Sequence, residues 1–276
     1  MRWRSGRRSG HIEDRRRRPV GRAIGIGGGA GLILLLVFVL LGGDPSELSQ
    51  IVGDQPTATE PPPAGADEAA DFVSAVLAST EDAWSQIFAA RGATYEPPRL
   101  VLFADYVDSA CGLASAATGP FYCPPDRRIY LDLSFFKELA RLGGPGDFAA
   151  AYVIGHEVGH HVQNLTGTTG EVGRLQTRAS RAAANRLSVR LELQADCLAG
   201  VWAHHADRQR DLLEPGDVEE GLAAAAAIGD DRLQRNAGRA VSPESFTHGS
   251  SEQRERWLRQ GLTTGELEVC DTFGEG

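Results

Sequence analysis

His156, Glu157 and His160 form an H-E-x-x-H pattern inside the apolar, helix-patterned stretch Asp147–Asn164. In an α-helix, residues four apart lie on one face, so both imidazoles can reach one metal ion. Glu157, one position after the first histidine, is placed for a water on that ion rather than for the ion itself. Neutral imidazole is a good zinc ligand, and a carboxylate beside such a water can take its proton, so the set suits zinc-dependent hydrolysis. Ala149, Tyr152, Val153 and Ile154 make the stretch too apolar for a solvated helix that carries two histidines by coincidence. His161 lies about 140° around the helix from His156, at roughly 100° per residue, and is expected to point elsewhere.

A catalytic zinc takes three protein ligands and keeps a position for water. The metzincin pattern would place glycine and histidine where Gln163 and Thr166 stand, so that pattern is absent. Glu192, in Glu192-Leu-Gln-Ala-Asp196, is the candidate third ligand. Leu191, Leu193, Ala195, Leu198, Ala199 and Val201 surround it, and a carboxylate among such neighbours needs a reason to be buried; zinc is one. Asp196, one turn later on the same face, can accept the free ring N–H of a ligating histidine and hold its tautomer. His204 and His205 are the substitutes should Glu192 not bind.

The elements that must position these residues follow from periodicity and punctuation. Phe72, Val73, Val76, Leu77, Trp84, Ile87 and Phe88 recur at helical spacing, predicting one or two helices over 69–91. Arg99–Val107 and Arg128–Leu133 read as strands. The second strand can serve as an edge for an extended substrate or lie inside the sheet. Ser134 can cap a short helix over 135–142, which Gly143-Gly144-Pro145 ends. The motif helix runs over 147–165 and stops at Gly167. A helical region over 171–209 with an internal break follows, then a helix over 217–228, then one after Ser250, which with Gln253 forms a capping box, through Leu258. The fold class is α+β, mostly helical with a small sheet.

The amino-terminal part differs in character. Residues 1–22 hold nine arginines against Glu13 and Asp14, a net +7, so with −9 for the whole chain the remainder carries −16. Residues 23–41 are uncharged, and nineteen residues at about 1.5 Å each span roughly 28 Å, near a bilayer core. An arginine-rich flank places its side in the cytoplasm, and Leu41-Gly-Gly-Asp offers no signal cleavage site. The expectation is therefore a basic cytoplasmic segment 1–22, an uncleaved single-pass anchor 23–41, a Pro-rich linker 42–68 and an external domain 69–276 on the cytoplasmic membrane. A basic run directly before a span points to anionic lipid headgroups rather than nucleic acid. The four cysteines, Cys111, Cys123, Cys197 and Cys270, would then form two disulfides. Three pairings are possible; Cys111 with Cys123 is the natural local one, worth about 3 kcal/mol in the chain-entropy view, and leaves Cys197 with Cys270.

Gly155–Gln163 and Glu192–Gly200, with Gly119–Pro124, Ile129–Asp132 and Phe246–Arg254, resemble the neutral zinc metallopeptidases of bacterial membrane-anchored proteins. The resemblance spans about 69–276. It implies a gluzincin-like fold with Zn2+ on His156, His160 and Glu192, Glu157 as catalytic base, a protein or peptide substrate and no organic cofactor. His248, in the Phe246–Arg254 motif, is the candidate to stabilise the oxyanion, with Tyr122 and Tyr130 behind it. A zinc-stabilised binding or scaffold protein without turnover is the alternative, against which the intact Glu157 counts.

Overall fold

The apolar spacing after residue 69 produces one continuous helix, α1 (Ala66–Ala90), in a computed structural model that describes residues 1–16 and 66–274. The expected anchor 23–41 and most of the linker 42–68 lie outside the described residues. Among the described residues no helix is long and apolar enough to cross a membrane.

The stretch Arg99–Val107 is two strands rather than one. β2 (Arg99–Phe103) ends where Asp105 takes a left-handed φ of 62°, and β3 (Tyr106–Ser109) pairs antiparallel with β4 (Gly112–Ser115) as a separate hairpin. β5 (Phe121–Cys123) and β6 (Arg128–Asp132) join β2 in the main sheet, ordered β1-β2-β6-β5, where β1 is Ile12–Asp14. β6 runs parallel to β2 and antiparallel to β5, so it is an interior strand and cannot be the substrate edge; β5 is an outer strand. Alternation sorts the side chains. Leu100, Leu102, Ile129 and Leu131 enter the main core with α1, while Val101, Phe103 and Tyr130 form a smaller cluster under the hairpin.

The helices follow in order: α2 (Phe135–Leu142), α3 (Asp147–Leu165), α4 (Thr168–Gln176), α5 (Arg181–Arg210), α6 (Asp217–Ala227), α7 (Asp230–Asn236) and α8 (Ser251–Thr264). Ser134 does not cap α2, because it is itself helical and makes no capping bond; Gly143 ends the helix in the left-handed region. The break within 171–209 falls before Ser180, whose side chain caps α5. α7 was not anticipated in the sequence. α8 opens with the Ser250–Gln253 capping box and runs past Leu258 to Gly265.

Glycines set how closely these helices meet. A Cβ on Gly155 would lie 2.6 Å from the Trp202 ring, and one on Gly159 would lie 2.9 Å from the Ala195 carbonyl oxygen. The face of α3 that carries the motif can therefore lie directly against α5. Gly200 and Gly261 do the same at the α5–α8 crossing, where an added Cβ would meet backbone atoms at 2.3 Å and 2.0 Å. Cys197–Cys270 ties α5 to the carboxyl-terminal segment beside that crossing, with Cα atoms 5.5 Å apart, and Cys111–Cys123 closes the hairpin loop onto β5 at 5.9 Å.

Residues 1–16, expected as part of a separate segment 1–22, pack against this body. Met1 and Trp3 are buried in the main core, and β1 pairs parallel with β2 from Ile12↔Leu100 to Asp14↔Leu102.

Candidate metal centre and cleft

The closeness of α3 and α5 brings three side chains together. His156 Nε2 and His160 Nε2 lie 3.1 Å apart, and the Glu192 carboxylate lies 3.2 Å from the first and 3.4 Å from the second. These three offer ligand atoms within 4.8 Å of one another.

The ring orientations have separate causes. His156 Nδ1 faces Asp196 Oδ1 at 2.8 Å, and His160 Nδ1 faces Gln163 Oε1 at 2.9 Å. Gln163 is itself fixed, because its amide donates to the Leu191 carbonyl at 2.7 Å and to Gln194 Oε1 at 3.0 Å. Each ring thus has an acceptor for an Nδ1 proton, and in that tautomer both Nε2 lone pairs face the space beside Glu192, which suits a cation. Burial lowers the pKa of His156, but Asp196 and Glu192 more than offset this and raise it to about 10. Two imidazole nitrogens and one carboxylate, with acceptors behind the rings, are a donor set that fits zinc.

Asp196 is fully buried and is held by more than His156. Tyr152 Oη donates to its Oδ1 at 2.5 Å, and Arg254 Nε and Nη2 donate to its two oxygens at 2.9 Å each. Arg254, at 2% exposure, also donates to Tyr152 Oη. Arg254 and Gln163 were missed in the sequence. The available signal was the motif resemblance, since Arg254 closes Phe246–Arg254 and Gln163 closes Gly155–Gln163.

A cavity of about 520 Å³ opens on this cluster, with Glu157 and His248 among its walls and apolar surface from Phe121, Phe135, Val153, Ile228 and Leu233. Burial pushes the Glu157 carboxyl above the usual carboxylate range. His248 stands on the loop before α8, and Asp230, the first residue of α7, builds that loop. Asp230 Oδ2 accepts the backbone N–H groups of Thr247, His248 and Gly249 at 2.7, 2.7 and 3.1 Å, and its Oδ1 lies 3.2 Å from His248 Nδ1.

The remaining candidates are occupied elsewhere. Tyr122 lines the cavity, but its hydroxyl bonds His161 Nδ1 at 3.0 Å and accepts from Asn164 at 2.9 Å. His161, turned away from the metal cluster as expected, also reaches the Glu96 carbonyl at 2.6 Å and so pins β5 to α3. Tyr130 donates to Asp126 at 2.7 Å on the other face of the sheet. His204 and His205 bond the Leu262 and Gly265 carbonyls at the end of α8.

The profile described as "Putative neutral zinc metallopeptidase" matches residues 1–273. The chain belongs to this family of zinc metallopeptidases. The match takes in residues before 69, outside the stretch that carries the motif resemblance. The chain is 46% identical to the uncharacterized protein YpfJ of Escherichia coli K12, over 286 aligned positions covering 100% of this chain and 99% of that protein. It is also 46% identical to the uncharacterized protein Rv2575 of Mycobacterium tuberculosis H37Rv, over 190 positions covering 65% of this chain and 63% of that one. No solved structure matches this member of the family.

Proposed function

We propose that the chain is a zinc-dependent endopeptidase, with zinc held by His156 Nε2, His160 Nε2 and the Glu192 carboxylate. The observation that carries this is the pair of Nε2 atoms facing each other at 3.1 Å beside a carboxylate, at the wall of a cavity that also exposes Glu157. Zinc in such a site supplies Lewis acidity to a water and to a carbonyl oxygen.

The chain's own groups do the rest. Glu157 takes the proton of the attacking water and returns it to the leaving amine nitrogen as the C–N bond breaks. His248, held by Asp230 at Nδ1, donates from Nε2 to the carbonyl oxygen in its imidazolium form as that oxygen gains charge. Asp196 and Gln163 hold the two histidine ligands in one tautomer. β5, an outer strand beside the cleft among the described residues, can pair with an extended peptide through its outer edge. Two disulfides suit an oxidising compartment, which supports action outside the cytoplasm.

Glu157→Gln keeps the shape of the site and removes the base. The expected variant binds zinc and melts like wild type but cleaves a mixed-peptide pool roughly 10²–10⁴-fold more slowly, read by mass spectrometry with a chelator control. Glu192→Ala should lower zinc content well below about one per chain; retained zinc would mean another ligand. Zinc-loaded wild type that cleaves nothing would leave a zinc-stabilised binding or scaffold protein of the cell envelope.

A further inference from the structure

Residues 1–16 contribute to the core rather than decorating it. Trp3 is 7% exposed and packs edge-on against Phe72 with ring centroids 5.3 Å apart. The backbone is stitched to β2 on both sides of β1: Leu100 donates its N–H to the His11 carbonyl at 2.9 Å, and Arg15 donates to the Leu102 carbonyl at 2.7 Å.

Glu81 on α1 makes the dependence mutual. It is 5% exposed, and its carboxylate is met by Ser9 Oγ at 2.5 Å, His11 Nδ1 at 2.8 Å and Arg7 Nη2 at 2.6 Å. All three partners belong to the arm. Without these residues the Glu81 carboxylate would lose all three bonds. Arg8 with Asp71 and Arg4 with Glu68 add exposed pairs to the same helix. Arg4, Arg7 and Arg8 therefore have a task in the fold, and a count of arginines alone does not report which side of a membrane they occupy.

A bilayer core is about 30 Å thick. One crossing by residues 23–41 would put the arm and the domain on opposite faces, whereas the structure joins them by main-chain hydrogen bonds. We propose that residues 1–16 and residues 66–274 occupy the same side of any membrane the chain meets. The inference does not depend on peptidase activity.

Gly10 and Gly170 are both exposed, with no atom within 4 Å of an added Cβ, and all four native cysteines are in disulfides. Gly10→Cys and Gly170→Cys, each in the full chain, can be labelled with a membrane-impermeant maleimide in intact and in lysed cells, with wild type as blank. The same intact-to-lysed ratio for both variants is expected, whether the shared side is outer or inner. Labelling of one in intact cells and of the other only after lysis would overturn the proposal. Independently, Trp3→Ala should lower the melting temperature of the purified full chain by about 5 °C or more. An unchanged melting temperature would show that the arm is not part of the core, and the proposal would fall with it.

Discussion

Arg254 grips the carboxylate of Asp196 with Nε and Nη2, each at 2.9 Å, and so fixes the group that orients the His156 ring. Both residues are buried, and the guanidinium neutralises the carboxylate where no solvent does. The arrangement depends on the close α5–α8 crossing at Gly200 and Gly261, which lets the first turn of α8 reach α5. Asp196 accordingly lies below the usual carboxylate range: burial would raise it, and Arg254 and His156 more than offset that.

Lysine cannot reproduce this fork, because its ammonium is a point charge. Arg254→Lys is therefore expected to keep the fold and lose roughly 10–100-fold in zinc affinity, as removal of partners behind metal ligands does. Competition with a chromogenic chelator measures it, and circular dichroism checks the fold. Asp196→Asn should give a loss of the same order. Wild-type affinity in both variants would mean that the network supports the helices only.

Asp230 and His248 are expected to act as one unit, since one carboxylate holds both the loop backbone and the ring. His248→Ala should lower kcat on a peptide substrate by roughly 10²-fold or more, with little change in KM. Asp230→Ala should lose a similar amount, and the double variant should be no worse than the more damaged single one. Additive losses would show that the two residues act separately.

Acid should loosen the arm through Glu81. Burial alone would raise its carboxyl, but the bonds from Ser9, His11 and Arg7 hold it below the usual range. A carboxylate with a lowered folded pKa contributes stability above its unfolded value, about 4.3, and loses it as pH falls through the folded value. Glu81→Gln should therefore melt below wild type at neutral pH, and the gap should close as pH falls below about 4. A gap that stays constant down to pH 3, measured by thermal melts, would assign the stabilisation to something other than the charge of Glu81.

What local spacing encodes was legible from the residues alone. The capping box at Ser250 and the bounds of α3 depend on neighbours in the chain and are found as read, and the i, i+4 spacing sets the His156 and His160 rings side by side. The long extended reading of Arg99–Val107 failed because its turn has no Gly or Pro; Asp105 takes the left-handed conformation instead. The contacts that complete the site were not legible, because they join distant segments. Gln163 is useful only where the backbone at Leu191 fixes its amide, Arg254 only where two glycines bring α8 against α5, and Asp230 only because α7 starts beside the His248 loop. The nine arginines of residues 1–22 suggest a membrane flank. Whether a charge faces lipid or a carboxylate is a property of its surroundings, and packing against α1 and β2 assigned Arg4, Arg7 and Arg8 to acids on α1.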